Sequence, residues 1–176
     1  MRRHWILLFV MIVLVLLVDQ VTKRLVMENM LVGQTITPIP ALTPFFQITY
    51  SHNTGAAFGF LPQVGDLFLI IAVVVVVVMI YFYRRVPENG HFSRIAIGMI
   101  CGGALGNALD RLQHGRVIDF IHYQIPGVIS NVSNIADHAV VLGVIIIFIE
   151  SWLLERKQKQ VETVSIEGQS DSADGL

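Results

Sequence analysis

The sequence predicts an all-α membrane protein with four transmembrane helices, and three observations carry that expectation. The 176 residues are 54% hydrophobic and only 14% charged, with a mean hydropathy of +0.66, values that fall in the membrane class. Four apolar runs are separated by segments rich in breakers and polar residues. The basic residues, finally, gather to one side of those runs. A net charge of −1 with 12 Lys and Arg excludes a nucleic-acid partner, which would require a basic face to neutralise phosphates. Cys101 is the only cysteine, so neither an internal disulfide nor a cysteine metal cage can form.

The first run, Trp5 to Val18, is too short to cross a hydrocarbon core of about 30 Å at about 1.5 Å per residue. It continues through Asp19, with Val21, Leu25 and Val26 keeping a helical pattern, to give a span of about 5–27. Arg2 and Arg3 before an apolar stretch also suit a secretory signal peptide, but no small-x-small cleavage site follows. Leu31 to Gly65 is an outer segment broken by Pro38, Pro40, Pro44 and Pro62, with a short strand expected at Phe45–Tyr50. The second span, 67–83, carries no charge and ends in Tyr81-Phe82-Tyr83-Arg84-Arg85, an interfacial anchor.

The third span, about 95–110, contains Gly98, Gly102 and Gly106 at four-residue spacing, a small-residue stripe for close helix packing. A second outer segment, 113–134, precedes the fourth span at 136–154. These spans form one domain over 1–159, followed by a polar tail, 160–176, that lacks apolar periodicity and is expected to be disordered. Four crossings put both termini and the 84–94 loop on one side. That side holds Arg2, Arg3, Arg84, Arg85, Arg94, Arg156, Lys157 and Lys159 against Lys23, Arg24, Arg111 and Arg116 opposite, so it is expected to be cytoplasmic.

The groups able to do chemistry collect near the outer ends. Asp19 and Lys23 are four apart and share a helix face; an ionisable group in a span costs about 2.5–3.5 kcal/mol and normally faces protein or water. They are expected to pair, ordering the first helix and bordering the site. Asn53 and Gly55 lie in a small-residue segment that suits either a turn or backbone contact with an extended peptide. Asn107 and Arg111 share a face near the outer end of the third helix, and Asp110 could cap or brace that turn. Asn107 in particular needs a partner, being an amide within a span.

Asp119 lies between apolar neighbours in a strand or turn, where solubility does not require a carboxylate, and Asp137 starts the fourth helix just after Asn134. Taken singly, Asp137 suits an N-terminal helix cap. If folding brings the two carboxyls together, they share a proton, one acting as base on water while the other polarises a carbonyl. Alternatives are less well supplied. His52, His114, His122 and His138 lack zinc-ligand spacing, and Lys23 faces no serine marked as a nucleophile. A proton- or ion-coupled carrier would spread its charges through membrane depth, and the chain shows no internal repeat. A non-catalytic scaffold would tolerate loss of either aspartate.

Five blocks in order, Asp19-Gln20-x-Thr22-Lys23, Asn53-x-Gly55-x-Ala57-Phe58, Gly103-x-x-Gly106-Asn107-x-x-Asp110-Arg111, Val117-x-Asp119-Phe120 and Asn134-x-Ala136-Asp137, resemble the lipoprotein signal peptidases, the type II signal peptidases of bacteria. The resemblance covers the chain from the first span to the fourth and excludes the tail. It implies an aspartic endopeptidase of the bacterial inner membrane that removes the signal peptide from a prolipoprotein, cutting just before a diacylglyceryl-modified cysteine. By it, Asp119 and Asp137 are the catalytic dyad. Asn53, Gly55, Asn107, Asp110, Arg111 and Asn134 line or order the site, with Asp19 and Lys23 as a polar pair.

The resemblance also implies a small periplasmic β-cradle, assigned largely to Leu31–Gly65, and a short outer-leaflet helical segment in Tyr123–Ser133. The active site would lie at the outer leaflet. Its one departure is Ser133, where an aromatic commonly precedes the asparagine; this bears on packing beside Asn134 and leaves the acid pair untouched. The expected partners are the lipidated precursor and membrane lipid, with the enzyme acting as a monomer. No metal or cofactor is expected, because a carboxyl pair can supply acid, base and oxyanion stabilisation.

Overall fold

The computed structural model describes residues 2–55, 64–87 and 90–173. Helix α1 spans Arg2–Asn29, α2 Val64–Tyr83, α3 His91–His114 and α4 Ile135–Ala173. Three helical stretches, His4–Asn29, His91–His114 and Ile135–Lys157, are long and apolar enough to cross a membrane, and Leu67–Tyr83 is a shorter apolar helix. The chain is thus a mostly helical membrane protein carrying a small antiparallel sheet. α1 runs unbroken through Asp19 because that carboxylate pairs with Lys23 one turn on, at 2.8 Å.

α3 is the central helix and packs against α1, α2 and α4. Its small residues make this possible. A Cβ on Gly98 would sit 2.6 Å from the Met11 Cβ, one on Gly102 2.8 Å from the Val15 Cβ, and one on Gly106 2.6 Å from the Asp19 Oδ2. The four-residue stripe therefore seats α1, as its spacing predicted. Gly103 meets α4 at the Ala136 carbonyl and the Val140 side chain, and Gly143 of α4 returns the contact at Ile100. Where composition predicts an irregular tail from Gln160, the helical backbone of α4 instead continues to Ala173. From Arg156 to Glu167 there is neither Gly nor Pro, and Lys, Gln and Glu all favour helix.

The sheet has the order β1 (Thr35–Ile36), β2 (Phe46–Asn53), β3 (Val117–Ile125), β4 (Ile129–Ser133), all antiparallel. The strand expected at Phe45–Tyr50 is β2, extended to Asn53. The helical segment expected within Tyr123–Ser133 is not found: those residues form the β3–β4 hairpin. The cause is the Ile125-Pro126-Gly127-Val128 turn. Proline presets φ at its second position, Gly127 takes φ +75° at its third, and the Val128 N–H returns to the Ile125 carbonyl at 3.0 Å. Half the sheet thus comes from the second outer segment, not largely from Leu31–Gly65. Val26, Tyr50, Ile118, Phe120 and Ile121 form a core between α1 and the sheet. A second core of Leu8, Tyr83, Ile97 and Cys101 closes the opposite end of the bundle.

Candidate active site

Two chain reversals deliver the aspartates. Gly115, at φ +68°, ends α3 with its N–H on the Arg111 carbonyl at 2.9 Å, the left-handed helix stop that glycine adopts without strain. β3 starts two residues later and carries Asp119, which is 2% exposed and pairs in register with Ser51 of β2. β4 then leads to Asn134, the residue before α4. Its Oδ1 accepts the Asp137 N–H at 2.9 Å, so Asn134 is the N-cap and Asp137 the third helical residue. A second free N–H of that first turn, on Ala136, donates to the Asp19 Oδ1 at 2.9 Å. α1 and α4 are thereby tied at the helix end where unsatisfied donors are obligatory.

The same asparagine reaches both acids. Its Nδ2 donates to the Asp119 Oδ1 at 2.6 Å, while the Asn53 Nδ2 donates to the Asp119 Oδ2 at 2.9 Å. The Asn107 Nδ2 donates to the Asp137 Oδ1 at 2.7 Å. Burial pushes the Asp119 carboxyl above its ordinary value; the Asn53 hydrogen bond opposes this and the nearby Asp137 charge adds to it. Asn53 is in turn aimed by Gly55, whose N–H donates to its Oδ1 at 2.9 Å at a backbone φ of +75°. A cavity of about 510 Å³, walled by Ser51 to Gly55 and Val132, opens onto Asp119. His52 on its wall is pushed below its ordinary value by burial, then by Arg116 and His114.

Beneath the aspartates lies an ionic cluster. Lys23, 1% exposed, donates to Asp19 at 2.8 Å, Asp110 at 2.7 Å and the Asn107 Oδ1 at 3.0 Å. Asp110 accepts the Ile118 N–H at 3.0 Å and so ties the turn after α3 to the start of β3. Arg111 donates to the Asn107 carbonyl at 3.1 Å, covers the Phe68 ring at 4.9 Å, and its Nε has no partner among the described residues. The sequence expectation that the Asn107 amide needs a partner is met by Lys23, Asp137 and Asn134, the last donating to its Oδ1 at 3.2 Å. Ala57 and Phe58 of the second block lie outside the described residues.

The sequence pattern of the signal peptidase (SPase) II family matches residues 11–153. The chain belongs to that family. Lipoprotein signal peptidases of Symbiobacterium thermophilum and Desulfitobacterium hafniense are 40% and 39% identical to it, over 84% and 89% of this chain and 95% and 99% of theirs. Two solved structures described as bacterial membrane enzymes superpose with TM-scores of 0.74 and 0.73 at 36% and 35% identity. They cover 81% and 86% of this chain and 90% of each of those chains. As a signal peptidase II the chain is a protease and a transmembrane hydrolase.

In this signal peptidase II, Gln20 had no sequence-derived role. Its Nε2 bridges Asp110 at 2.8 Å, Asp19 at 3.1 Å and the Gly106 carbonyl at 3.3 Å. Its helical adjacency to Asp19 and Lys23 was the available signal. Ser133, beside Asn134, is buried with its hydroxyl donating to the Ile121 carbonyl at 3.3 Å. The hairpin thus satisfies it without disturbing Asn134. His138, set aside as a metal ligand, bonds the Asn134 carbonyl at 2.6 Å and contacts the Tyr123 ring.

Proposed function

We propose that this chain is an aspartic endopeptidase in which Asp119 and Asp137 share one proton and activate water. The observation that carries the reading is Asn134, whose amide holds the Asp119 carboxylate with one end and the Asp137 backbone with the other. Two acids held on one amide, the first raised in pKa by burial and by its neighbour's charge, suit a dyad with one member protonated and one ionised. The ionised carboxylate takes a proton from water as the oxygen attacks the scissile carbonyl carbon. The protonated partner donates a hydrogen bond to the carbonyl oxygen, and on collapse a proton passes to the departing amine.

The substrate is the diacylglyceryl-modified prolipoprotein, cut before its lipidated cysteine. The relatives' name, lipoprotein signal peptidase, supports this, as does a site set at the ends of apolar helices where a lipid-anchored precursor would present its cleavage site. α2 supplies a fourth crossing, which puts both termini in the cytoplasm by the positive-inside rule and the sheet and dyad at the outer leaflet of the bacterial inner membrane. Arg111, Asn53, Gly55, Asn107, Asp110, Asn134, Asp19 and Lys23 order the site. The enzyme is proposed to act as a monomer without a metal or cofactor, because a carboxyl pair can itself supply acid and base.

The test is Asp119→Asn and Asp137→Asn, each assayed on a lipidated precursor in detergent micelles. Each variant should lose about 10⁴-fold or more in kcat, as when one member of a cooperating catalytic set is removed. Cleavage retained within tenfold by either folded variant would overturn the dyad.

A further inference from the structure

At the end of the bundle opposite the aspartates, α2, α3 and α4 enclose a second cavity of about 370 Å³. Its wall is apolar towards the middle of the bundle, from Met79, Ile97 and Ile147; Phe82 and Leu154 lie nearer the helix ends, Ser151 sits deeper on α4 than Leu154, and Arg85 follows the end of α2. The Glu150 carboxylate of α4 accepts from the Ser93 N–H at 2.6 Å and from the Ser93 hydroxyl. Arg94 is 6% exposed and turned inward, donating to the Val86 carbonyl at 2.7 Å and the Pro87 carbonyl at 3.2 Å. It holds the chain that carries Arg85.

By sequence this end carries Arg84, Arg85, Arg94, Arg156 and Lys157 against Glu88, Glu150 and Glu155, a basic excess. Arg85 lies with its guanidinium carbon 4.0 Å above the Tyr81 ring, and Arg156 covers Trp152 at 3.9 Å. Both arginines are exposed, as are Arg84 and Lys157 at the same end. Aromatic rings beneath cations are the arrangement of a membrane interface, where the ring sits at headgroup level. An apolar crevice running from such a level into the membrane does not suit a free anion or a soluble peptide. It suits a molecule with a charged phosphate at one end and hydrocarbon at the other.

We propose that this crevice binds one anionic phospholipid, an acyl chain running inward past Phe82 and Leu154 towards Met79 and Ile147 and the phosphate meeting the Arg85 guanidinium. The inference rests on the membrane placement of the helices and is independent of the dyad chemistry. Arginine recognises a phosphate diester through parallel N–H donors, and a basic pocket between helices is a known mode of headgroup capture.

The experiment uses the full chain, delipidated in detergent and titrated with phosphatidylglycerol under native mass spectrometry. The wild type should retain one phosphatidylglycerol at least fivefold more strongly than phosphatidylethanolamine, and should not retain glycerol phosphate. Arg85→Gln should lose that preference and Ser151→Trp, which fills the crevice, should lose retention. Arg84→Gln, an arginine outside the crevice, should behave as wild type. Unfolding temperatures identify any variant that has not folded, and Phe82→Trp then serves as a second crevice-filling substitution. Equal retention of both lipids by the wild type, or equal retention by wild type, Arg85→Gln and Ser151→Trp, would overturn the proposal in favour of unspecific annular lipid.

Discussion

The Lys23 ammonium donates to the Asn107 Oδ1 at 3.0 Å, and this contact links the buried ionic cluster to the proposed dyad. It fixes the Asn107 amide with its oxygen toward α1, so the amide nitrogen faces the Asp137 Oδ1 at 2.7 Å. A charge on one helix thereby sets the direction of a hydrogen bond between two others.

Lys23→Met should accordingly be costly. It leaves Asp19 and Asp110, 0% and 2% exposed, without their shared cation. Breaking a buried pair from one side typically costs about 3–5 kcal/mol, so thermal unfolding in detergent should fall by many degrees. Adding Asp19→Asn should recover part of the loss by removing one stranded charge. A Lys23→Met protein as stable as wild type would show that the cluster carries no such burden.

Asn107→Leu tests the next contact outward. The substitution removes a hydrogen bond to a charged group, a change of about 1.5–3 kcal/mol, or about ten- to hundredfold in kcat. The loss should fall on kcat with KM little changed, because Asn107 bonds Asp137, Lys23 and Asn134 and acts through them. A rise in KM alone would instead mean that Asn107 holds substrate.

How much of this was legible in the sequence depends on how many elements each contact spans. The Asp19–Lys23 pair needs only helical periodicity and is readable; the start of α4 is readable as a capped end, but its N-cap is Asn134 and not Asp137, whose own N–H donates to Asn134. The Lys23–Asp110 bridge and the Asn107–Asp137 bond join helices whose mutual rotation no local pattern encodes. The Pro126-Gly127 turn was present in the sequence, but the family resemblance directed that stretch toward a helix. Polar composition hides the continuation of α4 past Gln160, because it removes apolar periodicity without removing the helix propensity of Lys, Gln and Glu.

Gly103→Val should wedge α3 from α4. A Cβ there already meets the Ala136 carbonyl and approaches the Val140 Cγ2 to 2.8 Å, and Ala136 directly precedes Asp137. Overpacking of this kind costs about 1–3 kcal/mol, and activity should fall more than stability does, because the displaced strand of backbone carries the second acid. Val140→Ala should restore part of both. Undiminished activity in Gly103→Val would mean that the α3–α4 approach does not position Asp137.

The pH dependence follows from the burial of Asp119. Its carboxyl is raised above the ordinary aspartate value by burial, with the Asp137 charge in the same direction and the Asn53 and Asn134 hydrogen bonds opposed. A folded pKa above the unfolded one means that the native state binds more protons between the two values. The contribution of Asp119 to stability is therefore full below about pH 3.9, where even the unfolded chain is protonated, and is lost as pH rises through the folded value. For catalysis one proton must remain on the pair, so kcat should be bell-shaped, its alkaline limb displaced above the ordinary carboxyl range and its two apparent pKa values belonging to the pair. Measuring kcat on a lipidated precursor across acid to alkaline pH, with unfolding followed in parallel, separates the two effects. A flat profile in protein that stays folded throughout would exclude a shared proton.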